Sequence, residues 1–193
     1  MKKLYLLLSI LFLILIGCSI SQKEYDIDQL ILIDEVYYKK SSDEIVDGKV
    51  FQIFGDMKMG LGYIKNGTKE GLWTWWFENG EKKNEGMFKD GKENGLHKWW
   101  YNNGHKSEER TYMDGVKYGL WTKWYDNGQL QIIYNYNKGK LNGNQRKWFP
   151  NGNLRAEWNY LNDELHGISS EWNDDGSIKS KKQYKHGALI KTL

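Results

Sequence analysis

The sequence predicts an all-β protein: an elongated antiparallel meander of tandem 24-residue β-hairpin repeats that forms a single-layer twisted sheet. Three observations support this prediction. Glycines recur every 24 residues, aromatic β-prone stretches precede turn dipeptides at the same interval, and no segment after residue 17 has a sustained helical period. Because a lone hairpin is only marginally stable, consecutive hairpins are expected to pair with their neighbours.

Three glycine columns define the repeat. Together they hold 15 of the 21 glycines, and in the third column Asp163 fills a missing position. The columns are Gly71, Gly95, Gly119, Gly143 and Gly167; Gly80, Gly104, Gly128, Gly152 and Gly176; and Gly67, Gly91, Gly115, Gly139 and Gly187.

Each unit begins with a strand, as in Gly71 to Phe77, and the dipeptide Asn79-Gly80 follows. Asn-Gly favours a two-residue type I′ turn, in which both central residues need positive φ. The second strand ends at an aromatic residue such as Phe88, and a second glycine-containing turn leads to the next unit. The sequence therefore predicts six units, at 48–70, 71–94, 95–118, 119–142, 143–166 and 167–190, preceded by an N-terminal hairpin or cap at 29–47.

The N-terminus has the order of a secretion signal. Lys2 and Lys3 precede an apolar run that is shorter than the ~20 residues of a membrane-spanning helix. The segment Leu15-Ile16-Gly17-Cys18 resembles the bacterial lipobox, which implies cleavage after residue 17 and acylation of Cys18, for example with palmitate. Residues 1–17 are thus predicted as a signal peptide and 18–28 as the lipidated cysteine with its tether. The expected location is the cell envelope, at the outer membrane if the cell has one and otherwise on the outer face of the cell membrane.

Composition argues against several functional classes. Lys2 and Lys3 account for two of the 28 basic residues, so the remainder of the chain is nearly balanced by its 25 acidic residues, unlike a nucleic-acid binder. The single cysteine permits no disulfide within a monomer. The four histidines fall in different repeat columns without metal-site spacing, and no catalytic triad or phosphate loop can be placed. We therefore expect a non-enzymatic monomer without metal or cofactor.

The unit resembles the MORN-repeat variant family of bacteria. The resemblance rests on Gly-Leu-Trp-x-x-Trp-(Tyr/Phe)-x-Asn-Gly followed by Tyr-x-x-Gly-x-x-x-Gly, as from Gly119 to Gly143, and covers roughly residues 36–190. Many such proteins carry the label of a YwqK-type toxin–antitoxin system antitoxin, which implies a neutralising partner. Related eukaryotic repeats are linked to membrane association and scaffolding. The resemblance implies no catalytic residues.

Strand alternation divides the first strand of each unit between two faces. Counted from the opening glycine as zero, position five is tryptophan in all five units and shares its face with Leu72 and Leu96 at position one. A feature that every unit carries favours a structural role, through cross-strand aromatic packing. The predicted structural ladder is Trp76, Trp100, Trp124, Trp148 and Trp172.

Positions two, four and six vary between units and grade from aromatic to polar along the chain. Such variation favours binding, because an exposed aromatic patch marks an interaction surface. The predicted binding residues are Trp73, Trp75, Trp99, Trp121, Tyr101 and Tyr125. The alternative is that this face packs against the curled sheet or the N-terminal hairpin.

Three functions follow from these patterns. The first is a scaffold that binds a protein partner through the aromatic face, in an antitoxin-like or immunity-like role. The second is binding of a cell-wall glycan, because tryptophan and tyrosine ladders also stack on sugars. The third is peripheral contact with membrane lipids beside the lipid anchor, which the near-neutral charge argues against.

Overall fold

A computed structural model describes residues 22–193, which form β-strands and one turn of 3₁₀ helix at Ile27–Gln29. The predicted signal peptide (1–17) and Cys18 lie outside the described residues. In chain order the strands are β1 (Glu24–Asp26), β2 (Leu30–Ile33), β3 (Val36–Lys39), β4 (Ser42–Ile45), β5 (Gly48–Phe54), β6 (Met57–Lys65), β7 (Thr68–Trp76), β8 (Lys82–Lys89), β9 (Lys92–Trp100), β10 (Lys106–Met113), β11 (Val116–Trp124), β12 (Leu130–Asn137), β13 (Lys140–Leu141), β14 (Gly143–Trp148), β15 (Leu154–Leu161), β16 (Glu164–Leu165), β17 (Gly167–Trp172), β18 (Ile178–Lys185) and β19 (Ala188–Thr192).

The strands form one long sheet and one small sheet. From β5 to β19 the chain runs as an antiparallel meander, in which successive hairpins pair with their neighbours, so the predicted fold class is confirmed. Short strands β13 and β16 pair with β12 and β15 and lead into β14 and β17. Strand β1 pairs in parallel with β5 and forms one edge of the long sheet. Strands β2, β3 and β4 form a separate three-stranded sheet.

The two turns of each repeat differ from the sequence prediction. At Asn79-Gly80 only the glycine has positive φ (83°), and the N–H of Gly80 donates to the carbonyl of Phe77 at 2.9 Å. This is a three-residue loop that ends in a left-handed glycine, so the predicted type I′ turn at this position is wrong. The type I′ pattern belongs to the other turn, where Asp90 (φ 49°) and Gly91 (φ 79°) are both left-handed. The Asn79 side chain instead accepts the N–H of Glu81 at 3.1 Å, an Asx turn that favours the longer loop.

Backbone hydrogen bonds join each type I′ turn to the previous repeat. Gly91 N–H donates to Lys69 at 3.0 Å, and Gly115 N–H donates to Glu93 at 2.8 Å. At the missing glycine, Asp163 holds a φ of 72° and its N–H donates to Leu141 at 2.9 Å, so aspartate keeps the bond. Asp is among the few L-residues that visit this region.

The N-terminal segment caps the first of these turns. Gly67 N–H donates to Val46 at 2.8 Å, and the Gly67 carbonyl accepts the N–H of Tyr37 at 2.8 Å. The cap therefore supplies the carbonyl that later turns obtain from a preceding repeat. The principal buried apolar cluster lies beneath it: Tyr25, Leu30, Val46, Val50, Leu61, Ile64 and Trp73.

The cap is larger than the sequence predicts. Glu24–Asp26 is a strand of the long sheet, and Lys58 bonds Glu24 at 2.5 Å across the first strands. The proposed tether (18–28) is therefore folded from Glu24 onward. The predicted hairpin at 29–47 is a three-stranded sheet, since Ser42–Ile45 pairs with Val36–Lys39.

Candidate binding surface

The long sheet has two faces, which we name by their side chains. The aromatic face carries positions two and four of the first strand and their cross-strand neighbours, such as Trp73, Trp75 and Gly86. The leucine face carries position one, as at Leu72. Beyond the N-terminal cap, the structure places no second layer on either face of residues 71–193.

Burial contradicts the expected accessibility of position two. Trp73 has an exposed fraction of 0%, and His97 and Gln145 in the same column are also buried. Position one, which the sequence grouped with the structural ladder, is between 43% and 55% exposed at Leu72, Leu96, Leu120 and Ile168. Trp73 is therefore part of the core rather than of an accessible surface, which corrects its assignment as a binding residue.

A break in the strand ladder explains the burial of position two. The pairing register shifts between Gly86 and Phe88 where β8 pairs with β9, and between Arg110 and Tyr112 where β10 pairs with β11. An opening glycine with positive φ lies opposite each shift, as at Gly95 (φ 94°). A backbone carbonyl ten residues before position two thereby loses its ladder partner, and a buried orphan carbonyl is costly. The position-two side chain donates to that carbonyl instead: Trp73 to Tyr63 at 3.1 Å, His97 to Met87 at 2.8 Å, Trp121 to Thr111 at 3.1 Å and Gln145 to Asn135 at 3.3 Å.

The sequence contained a signal for this role. Trp, His, Trp and Gln differ in shape and polarity, but each can donate a hydrogen bond from nitrogen. The side chains at position two therefore differ in size from unit to unit, but each of these four keeps a nitrogen donor. In the last unit Ser169 is shorter, and its buried hydroxyl has no partner among the described residues.

Two tyrosines predicted to bind are also used within the fold. The hydroxyl of Tyr101 donates to the Trp124 carbonyl at 2.8 Å, and that of Tyr125 donates to the Trp148 carbonyl at 2.9 Å. Each bond ties one repeat to the next. Tyr101 and Tyr125 therefore have a structural function that the sequence prediction missed.

The remaining predicted binding residues lie on a continuous aromatic row. Trp75, Trp99 and Trp121 are each half-buried. Ring contacts connect them through Phe88, His97 and Tyr112, with successive centroids 5.2 to 6.0 Å apart. The row continues from Trp121 to Tyr136 at 4.9 Å.

Cations lie against this row. The Arg110 guanidinium is 4.6 Å from the Trp99 ring and 4.9 Å from the Trp121 ring, within cation–π range of both. Lys69 lies 4.8 Å from both Trp73 and Trp75, and burial lowers its pKa. The aromatic face thus carries positive charge as well as apolar surface.

On the leucine face, the five ladder tryptophans are half-buried in every unit. Trp76 donates its indole N–H to the Gly60 carbonyl at 2.8 Å. Lys106 lies over the Trp124 ring at 5.1 Å. The structural role of Trp76, Trp100, Trp124, Trp148 and Trp172 stays a prediction.

His97 makes the stability of the fold pH-dependent. Burial lowers its pKa, and the nearby Arg110 lowers it too, although Glu93 and the Met87 carbonyl act in the opposite direction. Because the pKa is depressed in the folded chain, the unfolded chain binds a proton at higher pH than the folded chain does. The free energy of unfolding therefore falls as the pH drops below about 6.5.

We expect the free energy of unfolding to fall by up to about 1.4 kcal/mol per pH unit from this residue, within the window between its unfolded and folded pKa values. Urea unfolding at pH 7.5 and pH 5 measures this loss. His97→Gln is the matched control, because Gln145 makes the equivalent bond without titrating. An equal pH loss in both proteins would contradict the assignment.

Within residues 22–193, no group of three or more His, Cys, Asp or Glu side chains could hold a metal ion. Over the same range, no helix has the length and apolar character required to cross a bilayer.

The fold and its periodic hydrogen bonds define a tandem β-hairpin repeat protein. A sequence model described as the MORN repeat variant matches residues 69–90, 93–114, 117–138, 141–162 and 165–186, more than half of the chain. The chain belongs to this MORN repeat variant family. All but the last two residues of the predicted unit at 48–70 lie outside these matches, although β5 and β6 form its hairpin. No curated protein matches the chain significantly.

Proposed function

We propose that this protein is a lipid-anchored, non-enzymatic scaffold of the bacterial cell envelope that holds a protein partner on its aromatic face. One observation carries the proposal: the half-buried Trp99 and Trp121 lie on a face that, within residues 22–193, no second layer covers beyond the cap. Trp75, which packs against the buried cluster beneath the cap, begins the same aromatic row. Interfaces are enriched in tryptophan, tyrosine and arginine, and this row contains all three.

The proposed lipid anchor would hold the aromatic face near a membrane. Cys18 is the proposed acylation site, and the described fold begins within a few residues of it, so the proposed tether is short. A short tether would hold the cap close to the bilayer and extend the repeats from it. A partner that acts on or at the envelope would suit this geometry, and an antitoxin-like or immunity-like role is one form of it.

Affinity capture tests the proposal. The full chain in detergent is immobilised and exposed to solubilised envelope and culture supernatant. We expect one stoichiometric protein to be captured, and the double variant Trp75→Ala, Trp99→Ala to lose it, since truncation of interface tryptophans often costs 2 kcal/mol or more, about a thirtyfold loss of affinity.

The matched control is Leu72→Ala, Leu96→Ala, which alters exposed side chains of the same two strands on the opposite face. Circular dichroism verifies that both variants keep their β-structure. Capture that is lost equally in both variants would argue against the aromatic face. Capture of no protein, with retention of the chain on cell-wall polysaccharide or on vesicles, would replace the proposal with glycan or lipid binding.

A further inference from the structure

The aromatic face contains a recess of about 360 Å³ that spans the units at 95–118, 119–142 and 143–166. Two cross-strand rows line it. One row runs from Glu108 through Lys123 and Ile132 to Lys147, and the other runs from Arg110 through Trp121 to Tyr134. Strand pairing therefore places an apolar floor between two lysines, beside an aromatic wall.

The recess exists because position four changes along the repeats. Trp75 and Trp99 occupy this position in the units at 71–94 and 95–118, and Lys123 and Lys147 occupy it in the units at 119–142 and 143–166. On the strand that follows, Lys147 is paired with the small residue Ala156. Flexible lysines and a small neighbour leave a space where the earlier units have indole rings.

The charge of the recess is positive. Glu108 forms ion pairs with both Arg110 and Lys123, the second at 2.9 Å. Glu109, which also lines the recess, is bound by Lys106 at 2.5 Å. Within residues 22–193 Lys147 has no ion pair. The lining of the recess thus holds three cations and two carboxylates, and Lys147 pairs with neither carboxylate. An added carboxylate would give Lys147 a partner.

We propose that this recess binds an acidic side chain of the protein partner, with an adjacent apolar or aromatic side chain packed on Trp121 and Tyr134. The carboxylate accepts hydrogen bonds from Lys147 and Lys123, and charge-assisted bonds of this kind are the stronger ones in proteins. The neighbouring side chain covers Ile132 and excludes water, which strengthens the ion pairs.

This inference rests on the proposed function and names the chemistry of its partner. A recess that is walled by rings and ends at an isoleucine suits an inserted side chain. A membrane surface offers anionic headgroups in a plane, and a recess meets such a plane less well than a protruding patch does. The aromatic row would supply contact area, and the recess would supply selectivity for an acidic segment.

A pair of peptides tests the chemistry directly. The probes are acetyl-Gly-Phe-Glu-Gly-amide and its uncharged counterpart acetyl-Gly-Phe-Gln-Gly-amide. Saturation-transfer NMR measures their binding to the full chain in detergent. We expect a dissociation constant of about 1 mM for the Glu peptide and one about tenfold weaker for the Gln peptide. Added salt should weaken only the Glu peptide.

Lysine variants locate the site. We expect Lys123→Gln, Lys147→Gln to weaken the Glu peptide about tenfold and to leave the Gln peptide unchanged. The matched control is Lys138→Gln, Lys140→Gln, which removes two exposed lysines from a turn while keeping the same net charge as the test variant. Equal weakening by both variants would show a general charge effect and would overturn the inference.

The other outcomes are equally decisive. Equal binding of the two peptides, or no binding of either, would overturn the inference. Binding to phosphatidylglycerol vesicles with the same lysine dependence, in place of the Glu peptide, would replace it with headgroup recognition. If affinity capture depends on Trp75 and Trp99 but is unchanged in Lys123→Gln, Lys147→Gln, the proposed function stands and only the recess assignment fails.

Discussion

Replacement of Trp73 by alanine is expected to lower the free energy of unfolding by about 3 to 5 kcal/mol, the usual cost of emptying a large buried aromatic site. Trp73 has no exposed surface, and it packs beneath the N-terminal cap together with Ile64 and Val50. The change also leaves the Tyr63 carbonyl without its indole donor. Equilibrium urea unfolding, followed by circular dichroism, measures the loss.

The adjacent residue provides the control. Leu72→Ala changes a side chain that is 54% exposed on the opposite face of the same strand, so its effect should stay within about 0.5 kcal/mol. Comparison of the two variants shows whether the face of Trp73 or the face of Leu72 is the packed one. If Leu72→Ala destabilises the protein more than Trp73→Ala does, the leucine face is the packed one and the burial described here is wrong.

Gly86→Ala is expected to destabilise the protein by about 2 to 4 kcal/mol, through overpacking and a lost hydrogen bond. A Cβ at this position would lie 2.0 Å from Nδ1 of His97. The ring cannot move freely, because it bonds Met87 at 2.8 Å and contacts Phe88 and Tyr112, each with centroids 5.2 Å apart. Thermal and urea unfolding both report this cost.

Gly60→Ala is the matched substitution. Gly60 is also a strand glycine without positive φ, and a Cβ there meets nothing within 4 Å. Its replacement should be neutral or should stabilise by up to about 1 kcal/mol, since alanine restricts the unfolded chain. A double variant, Gly86→Ala with His97→Ser, should recover part of the loss, because the shorter side chain vacates the space. If the changes in the free energy of unfolding from the two substitutions are strictly additive, the two side chains do not clash directly.

These predictions describe how a repeat sheet of one layer is held together. A second layer would normally bury one face of each hairpin, but within residues 22–193 the second layer covers only the first repeats. Farther along, side chains bond to the backbone of the neighbouring hairpin. The donors at position two and the turn-to-turn bonds recur along the repeats, and the tyrosine hydroxyls of Tyr101 and Tyr125 at position six add such bonds in two units. Stability is therefore distributed along the array, as in other solenoids, and its apolar core is concentrated under the cap.

The same arrangement separates structure from recognition. Position two must donate a hydrogen bond, so its side chains serve the fold even where they are aromatic. Position four has no such task in the bonds described here, and it changes from tryptophan to lysine along the chain. A protein that binds mainly through position four could alter its partner without losing its fold. Trp75 and Trp99 of the proposed surface and both lysines of the recess occupy position four, and Trp121 at position two lies beside them.

The sequence by itself determined the repeat length and the antiparallel meander of hairpins. Glycine and Asx residues in fixed columns set local turns, and local turns fix which strands are neighbours. The sequence also predicted an aromatic face, and three of its six proposed binding residues, Trp75, Trp99 and Trp121, are half-buried. Trp75 packs against the buried cluster beneath the cap, and the other two lie on a face that no second layer within residues 22–193 covers. The assignment of the type I′ turn failed, since Asn-Gly also suits a three-residue loop with a left-handed glycine.

Only the tertiary structure decided which side chains are buried. Alternation along the strands assigns side chains to two faces, but both faces of this sheet carry tryptophan. Composition therefore could not show which face is more buried. The register shift at the opening glycine leaves a carbonyl without a ladder partner, and this shift depends on how two hairpins pair. The position of the cap depends on contacts between Gly67 and residues about 20 to 30 positions earlier. Such long-range pairing is what makes Trp73 a core residue and leaves Leu72, beside it in the sequence, in solvent.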